Sequence, residues 1–154
     1  MAPEFRPARV DDQEGAALIG AMRAEIARAD PGVVLDGPDM PKAGPGELGT
    51  PDGAFLVGWL DDKPVCCGGL KRLSDDACEI KRMYVVPGAR GMGVARLLLH
   101  ALEDEARSLG YVAARLDTGP GQAHAISLYA SEGYLEIDNV NDNPVATYFA
   151  EKRL

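Results

Sequence analysis

The order of apolar runs and turn signals predicts an α/β protein of the α+β type, with a mixed, mainly antiparallel central sheet and helices on both faces. Three observations lead there. Three apolar strand patterns follow one another between residues 54 and 86, separated only by short polar turns, as antiparallel hairpins require. Two helical stretches, from Gly93 and from Gln122, are each followed by a further strand. The resulting order is β, α, three β, α, β, α, β, β, which a doubly wound parallel sheet does not produce.

Each element has its own warrant. Phe5-Arg6-Pro7 is a short extended start, and Asp11-Asp12-Gln13-Glu14 supplies a cap and an acidic first turn. Ala16, Leu18, Ile19, Met22 and Ile26 then recur at helical spacing as far as about Ala29. Residues 30–53 are rich in Gly, Pro and Asp and read as a long loop with one helical turn, of a length that is usually functional or mobile in a compact domain. Ala54–Leu60 and Pro64–Leu70 flank Asp61-Asp62-Lys63 as a hairpin. A turn at Ser74-Asp75-Asp76 leads into a third strand, Cys78–Val86. The helix from Gly93 sets Val94, Leu97, Leu98, Ala101, Leu102 and Leu109 on its apolar side and stops at Gly110. Tyr111–Thr118 is a strand broken by Gly119-Pro120-Gly121, and Gln122–Ser131 is a short helix. Tyr134–Ile137 and Ala146–Glu151 form a closing strand pair around the polar loop Asp138–Pro144.

Composition sets the limits. The 154 residues read as one domain, 1–154, with 46% hydrophobic and 26% charged residues. A net charge of −8 argues against nucleic acid as a partner and suits cationic small substrates. No apolar stretch is long enough to span a bilayer and no signal pattern opens the chain, so the expectation is a cytoplasmic protein with no membrane partner. Cys66, Cys67 and Cys78 have no metal-ligand spacing and read as reduced, buried small hydrophobes. With His100 and His124 alone besides, no metal site is expected.

The most informative segment is Met83-Tyr-Val-Val-Pro-Gly-Ala-Arg-Gly-Met-Gly-Val-Ala-Arg96. A strand ends at Pro87, and Arg90-Gly91-Met92-Gly93-Val94-Ala95 opens a helix. Unpaired backbone N–H groups and the positive end of the helix dipole there suit a pyrophosphate. A nucleotide P-loop needs Gly-Lys-Ser/Thr after its first glycine, and nothing matches. A dinucleotide fold, and with it an oxidoreductase, needs a third glycine where Arg96 stands. That motif also follows its strand directly, whereas here Pro87–Arg90 intervene after three antiparallel strands.

Arg90-x-x-Gly93-x-Ala95 resembles the Arg/Gln-x-x-Gly-x-Gly/Ala signature of the GNAT superfamily of acyl-CoA-dependent N-acyltransferases. Gln122-Ala-His-Ala125-Ile126-Ser-Leu128-Tyr129, followed by Gly133-Tyr134, is similar to its second motif, Asn-x-x-Ala-Ile-x-Leu-Tyr with Gly-Phe/Tyr. Together these cover Cys78 to Ile137. One departure is Gln122, which stands where Asn is usual and can make the same amide bonds from one methylene further away. The resemblance implies the GNAT fold and an acetyltransferase using acetyl-CoA as co-substrate on an amine, with no metal. It implies cofactor contacts from Met83, Tyr84, Val85, Arg90, Gly91, Met92, Gly93, Val94, Ala95, Arg96, Gln122 and Tyr129. A domain that keeps the cleft as a non-catalytic acyl-CoA sensor or scaffold is the alternative.

Acetyl transfer needs a neutral amine, stabilisation of charge on the thioester oxygen, and help for the leaving thiolate. The resemblance assigns the last role to Tyr129 and the oxyanion to the Val85 backbone N–H. It makes Glu79, six positions before Val85, the candidate base, acting directly or through water, with His124 as the alternative. Strict alternation places Glu79, Lys81, Met83 and Val85 on one face unless a bulge shifts the register. On that register Lys81 enters the acceptor cleft, where it could anchor a substrate carboxylate. The cleft walls correspond to Leu18–Gly53 and Asp138–Pro144, and Glu25, Asp30, Asp36, Asp39, Glu47, Asp138 and Asp142 would give them an acidic rim. A polyamine, an amino acid, an antibiotic amine and a protein amine all remain open, as do a monomer and a homodimer.

Overall fold

The computed structural model describes residues 1–119, 122–139 and 143–154. Asp12 caps the first helix, its carboxylate accepting from the Gly15 N–H at 2.7 Å, a bond of the kind worth about 1 kcal/mol. The elements are β1 (Glu4–Pro7), α1 (Gln13–Ala29), β2 (Ala54–Leu60), β3 (Lys63–Arg72) and β4 (Ala77–Val85). After a single 3-10 turn at Pro87–Ala89 come α2 (Val94–Ser108), β5 (Ala113–Thr118), α3 (Ala123–Ser131), β6 (Leu135–Glu136) and β7 (Tyr148–Arg153). Their order is the expected one.

The seven strands form one sheet in the order β1-β2-β3-β4-β5-β7-β6, in which only β4 and β5 run parallel. The β2–β3 hairpin closes on Asp61 and Asp62, both at positive φ, which matches the twist of the flanking strands. One core lies between the sheet and α2 with α3, around Leu70, Ile80, Leu98, Leu99, Leu102 and Tyr129. The other lies under α1 and the 30–53 loop, around Leu18, Ile19, Leu48, Phe55, Val57 and Tyr84. Cys66 belongs to the first and Cys67 to the second, so adjacent cysteines do face opposite ways. All three thiols are free and buried, and burial pushes them up, Cys66 to about 11 and Cys67 and Cys78 to about 12.

Three details differ from the sequence reading. The 30–53 loop contains no helix; it is pinned by buried Leu35, Ala43 and Leu48 and by turns such as Leu48 N–H to Gly44 O at 2.9 Å. The inward side of α2 includes Leu99 and Ala106, while Leu109 is exposed. Glu103 is also buried on that side, where it accepts from the Tyr134 hydroxyl at 2.8 Å and pairs with Lys152 at 3.1 Å. Pro120 and Gly121 of the predicted break, and Asp142 of the predicted acidic rim, lie outside the described residues.

The largest departure is in β4. Cys67 pairs with Tyr84 and Gly69 with Lys81, so Arg82 and Met83 together oppose Gly68 alone. This is a β-bulge, and Arg82 takes a left-handed conformation, φ 59°, to make it. Gly68 stands opposite it, where a Cβ would lie 2.8 Å from Leu102 Cδ1 and 3.3 Å from Met83 Cγ, so a larger residue would need those side chains to move. Strict alternation therefore fails. Cys78 and Ile80 lie in the α2–α3 core, which turns Glu79 and Lys81 toward α1. Beyond the bulge the sides exchange: Met83 and Val85 pack on the α2–α3 core, and Tyr84 on the α1 core.

Candidate active site

β4 and β5 part company early. They pair at Ala77↔Ala113, Cys78↔Ala114 and Glu79↔Arg115, yet β4 continues to Val85 and β5 to Thr118. From Leu116 to Thr118, β5 stays paired with β7 on its other edge. A wedge therefore opens between the two parallel strands, with Glu79 at its apex. The Val86 N–H donates to Val65 O at 2.9 Å, back into the sheet. Backbone groups alternate along a strand, so the Val85 N–H faces away from β3 and into the wedge.

The wedge leads directly to the glycine segment. Gly91 and Gly93 both sit at φ 78°, and a Cβ at either would meet nothing within 4 Å. Gly93 is the N-cap of α2 and no side chain caps that helix end. The first backbone N–H groups of α2 are thus unpaired within the helix and have no side-chain cap. Met92 is exposed. An open wedge, an uncapped helix start and two side-chain-free positions fit an extended, pyrophosphate-bearing thioester such as acetyl-CoA. Val94 and Ala95 bring only backbone to it, Val94 burying its side chain in the core.

The two arginines of the segment are engaged elsewhere. Arg90 donates from Nε to Val85 O at 2.9 Å and from Nη2 to both Glu25 oxygens at 2.9 and 2.8 Å, with its guanidinium over the Tyr84 ring. It thereby ties α1 to the loop and holds the Glu25 carboxyl below the usual carboxylate range. Arg96 pairs with Glu132 at the end of α3, which His100 also meets at 2.6 Å. Gln122 is the N-cap residue of α3, but its exposed side chain makes no capping bond. His124 is exposed as well.

Tyr129 stands on the α2–α3 side of the wedge. Its ring is buried edge-on to Tyr134, and its hydroxyl lies 4.0 Å from Met83 Sδ. Burial, reinforced by the Asp117 charge, pushes the phenol up to about 12. On the α1 side a chain of polar groups runs down the wedge. Glu79, 1% exposed, meets Lys81 Nζ at 3.1 Å; Lys81 reaches Asp117 at 3.4 Å; Asn143 Nδ2 donates to Asp117 at 3.1 Å. Lys81, expected as an anchor for a substrate carboxylate, is thus already flanked by two carboxylates. Much of the acidic rim is likewise committed: Glu25 to Arg90, Asp36 to Arg23 and Arg82, and Glu47 to the Gly44 N–H at 3.0 Å.

A cleft of about 270 Å³ opens on the α1 face, bordered by Arg23, Asp36 and Arg82. A larger cavity, about 500 Å³, lies at the β6–β7 edge around Leu135 and Lys152, away from the wedge. Sequence reasoning passed over Arg82. The signal was there, because Lys81 and Arg82 are adjacent charges in an apolar strand, and only a bulge lets both face the same side. Among the described residues, no group of His, Cys, Asp and Glu is arranged to hold a metal ion, and no helix is long and apolar enough to cross a membrane.

Comparison with known proteins agrees with this geometry. A curated relative, "IAA acetyltransferase" of Azospirillum brasilense, is 41% identical over 90 residues, 58% of this chain and 59% of that protein. The uncharacterised N-acetyltransferase YjgM of Escherichia coli (strain K12) is 33% identical over 91 residues, 57% of this chain and 54% of that one. The chain thus spans little more than half the length of these curated relatives. A solved structure assigned as an acyl-CoA N-acyltransferase from Klebsiella pneumoniae has a TM-score of 0.75 at 26% identity, covering 99% of this chain and 97% of that one. The PaiA N-acetyltransferase of Thermoplasma acidophilum, solved in complex with coenzyme A, shares the fold with a TM-score of 0.70 at 18% identity and 100% coverage of both chains. The model of the "Acetyltransferase (GNAT) family" matches residues 19–134, most of the chain and the whole of the wedge and glycine segment, and the chain belongs to that family.

Proposed function

We propose that this chain is an N-acetyltransferase that moves an acetyl group from acetyl-CoA directly to an amine acceptor while both are bound. The observation that carries this reading is the wedge between β4 and β5, which continues into the uncapped start of α2. Backbone N–H groups from Gly91 to Arg96 hold the pyrophosphate, and the freed edge of β4, Met83 to Val85, lies along the pantetheine arm. Gln122, beside the mouth, is a further contact. In this reading the Arg90 and Arg96 guanidiniums position the loop and α3 unless phosphate draws them away.

The acceptor nitrogen attacks the thioester carbon, a C–N bond forms, the C–S bond breaks and the thiolate leaves. The Val85 N–H donates to the carbonyl oxygen as it gains charge; one such donor is typically worth about 10²–10³ in rate. Tyr129, held at about 12, remains protonated at neutral pH. A thiol near 8.5 is the stronger acid, so Tyr129 serves the leaving sulfur chiefly as a hydrogen-bond donor. Glu79, at the apex, takes the amine proton directly or through water. We read the chain as one domain acting in the cytoplasm as a monomer or homodimer, on neither nucleic acid nor membrane and without a metal; the acidic charge supports the reading on nucleic acid, and the free, buried thiols suit a reducing compartment.

Melting the protein with millimolar CoA and assaying thiol release from acetyl-CoA with a panel of amines tests the proposal. A raised melting temperature with amine-dependent thiol release is expected. Stabilisation without turnover across the panel would favour a sensor, and neither effect would sink both readings.

A further inference from the structure

The α1-face cleft contains a pair of guanidiniums that the acetyl-transfer chemistry does not use. Arg82 is placed there by the bulge, with its side chain only 7% exposed. Its Nη2 has two long partners, Leu35 O at 3.4 Å and Asp36 Oδ1 at 3.5 Å, and burial lowers it from the ordinary guanidinium value. Arg23 reaches in from α1 and pairs with the other oxygen of Asp36. A single loop carboxylate, half exposed, therefore bridges two arginines from opposite walls. The rest of the lining is mostly small and apolar: Val10, Ala16, Ile19, Ala43 and Pro45.

We propose that the acceptor amine carries a carboxylate, and that Arg82 and Arg23 grip it in the place Asp36 now occupies. This rests on the acetyltransferase reading and names the substrate class of its acceptor side. The charges fit, since two cations around one exposed anion leave the cleft selective for anions once that anion is displaced. The Arg23–Asp36 pair is exposed and weak, and Arg82 meets the same carboxylate only at 3.5 Å, so Asp36 yields readily, whereas a carboxylate seated between two guanidiniums forms paired, charge-assisted hydrogen bonds. The size fits as well. At about 270 Å³ the cleft falls just under the roughly 300–1,000 Å³ of sites for drug-sized ligands, which suits one free amino acid with an apolar side chain. The direction also fits. Arg82 stands on β4 only three residues before Val85, with its side chain on the α1 side, while Met83 and Val85 turn to the side of α2 and Tyr129. Acceptor and thioester then meet across the strand from opposite faces.

The test uses the full chain saturated with CoA. L-leucine, L-methionine and L-phenylalanine are titrated calorimetrically against their amides and their decarboxylated amines. At least one free amino acid is expected to bind about 10–100-fold more tightly than both of its partners, the range for hydrogen bonds to a charged group. Arg23→Gln and Arg82→Gln should erase that preference and raise KM for the amino acid, leaving KM for acetyl-CoA unchanged. Should Arg82→Gln fail to fold, Arg23→Gln on the half-exposed face of α1 still decides the matter. Asp36→Asn, which removes the internal competitor, should tighten amino-acid binding; weaker binding would overturn its role as a stand-in. Equal affinity for acids, amides and amines, or a preference that survives Arg23→Gln, would overturn the proposal. Carboxylate-dependent binding with no acetylation of any amine would uphold the site and overturn the acetyltransferase reading. Acetylation of carboxylate-free amines with no preference for acids would do the reverse.

Discussion

At Cys78 and Glu79, β4 is paired on both edges; from Ile80 to Val85 its only paired neighbour is β3. Charge is buried where the closed part ends: Glu79, its last residue, pairs with Lys81 just beyond it, beside Asp117. The open part leaves backbone groups facing a wedge. One strand thus supplies both a fixed ionic apex and a free hydrogen-bonding edge, and the bulge at Arg82 separates them. What distinguishes the two is the neighbour, since both are apolar-rich β-sequence held by β3.

The comparison can be broken most severely at the far end of the open part. Gly93→Glu puts a side chain and a negative charge at φ 78°, in the space before α2. Wild type at a hundredfold excess of CoA over Kd should gain about 2.7 kcal/mol of stability; the variant should gain none, as melting curves with and without CoA will show. At the apex, Glu79→Gln should lower kcat by about a hundredfold, within the range for a general base, and displace the alkaline-rising limb of the pH–rate profile. A limb that stays in place would assign the base elsewhere.

Tyr129→Phe should act on the chemistry of the open part alone, lowering kcat about tenfold or more while KM for acetyl-CoA moves little. The same residue gives a stability signature. Its folded value of about 12 lies above the unfolded value near 10, so the folded state keeps the proton longer. That contribution is fully present below pH ~10 and is lost as pH rises through about 12. Alkaline melting of wild type should therefore fall more steeply than that of Tyr129→Phe. The smallest effect is expected at the thiols. Cys66, Cys67 and Cys78, buried and raised to about 11 or 12, should resist thiol reagents in the native protein and react only on unfolding.

The element order was legible because it rests on local signals: Asp12 as cap, Asp61-Asp62 as turn, Gly110 as stop. The glycine segment was legible for the same reason, since Gly91 and Gly93 do take the left-handed conformation that their residue type permits. The face of each β4 side chain was not. It depends on Gly68, a residue on another strand, leaving room beside Leu102 for two residues to oppose one. Nor could sequence assign Arg90, whose partner Glu25 is 65 positions away. Counting carboxylates predicted an acidic rim; pairing decides which of them still carry net charge, and pairing is tertiary. Leu99 and Leu109 on α2 show the same limit, because periodicity gives the width of an apolar stripe more reliably than its centre.

The bulge has a consequence for how this strand tolerates change in length. Side-chain direction in a strand depends only on whether a position is odd or even, and the extra residue at Arg82 reverses that parity once. Losing or gaining a single residue between Lys81 and Val85 would cancel or repeat the reversal, carrying Tyr84 into the α2–α3 core and Met83 out of it. Two residues together would preserve the facing while lengthening the edge. Point substitutions in this stretch are therefore judged by chemistry, whereas a one-residue insertion or deletion inverts the whole lining of the wedge at once.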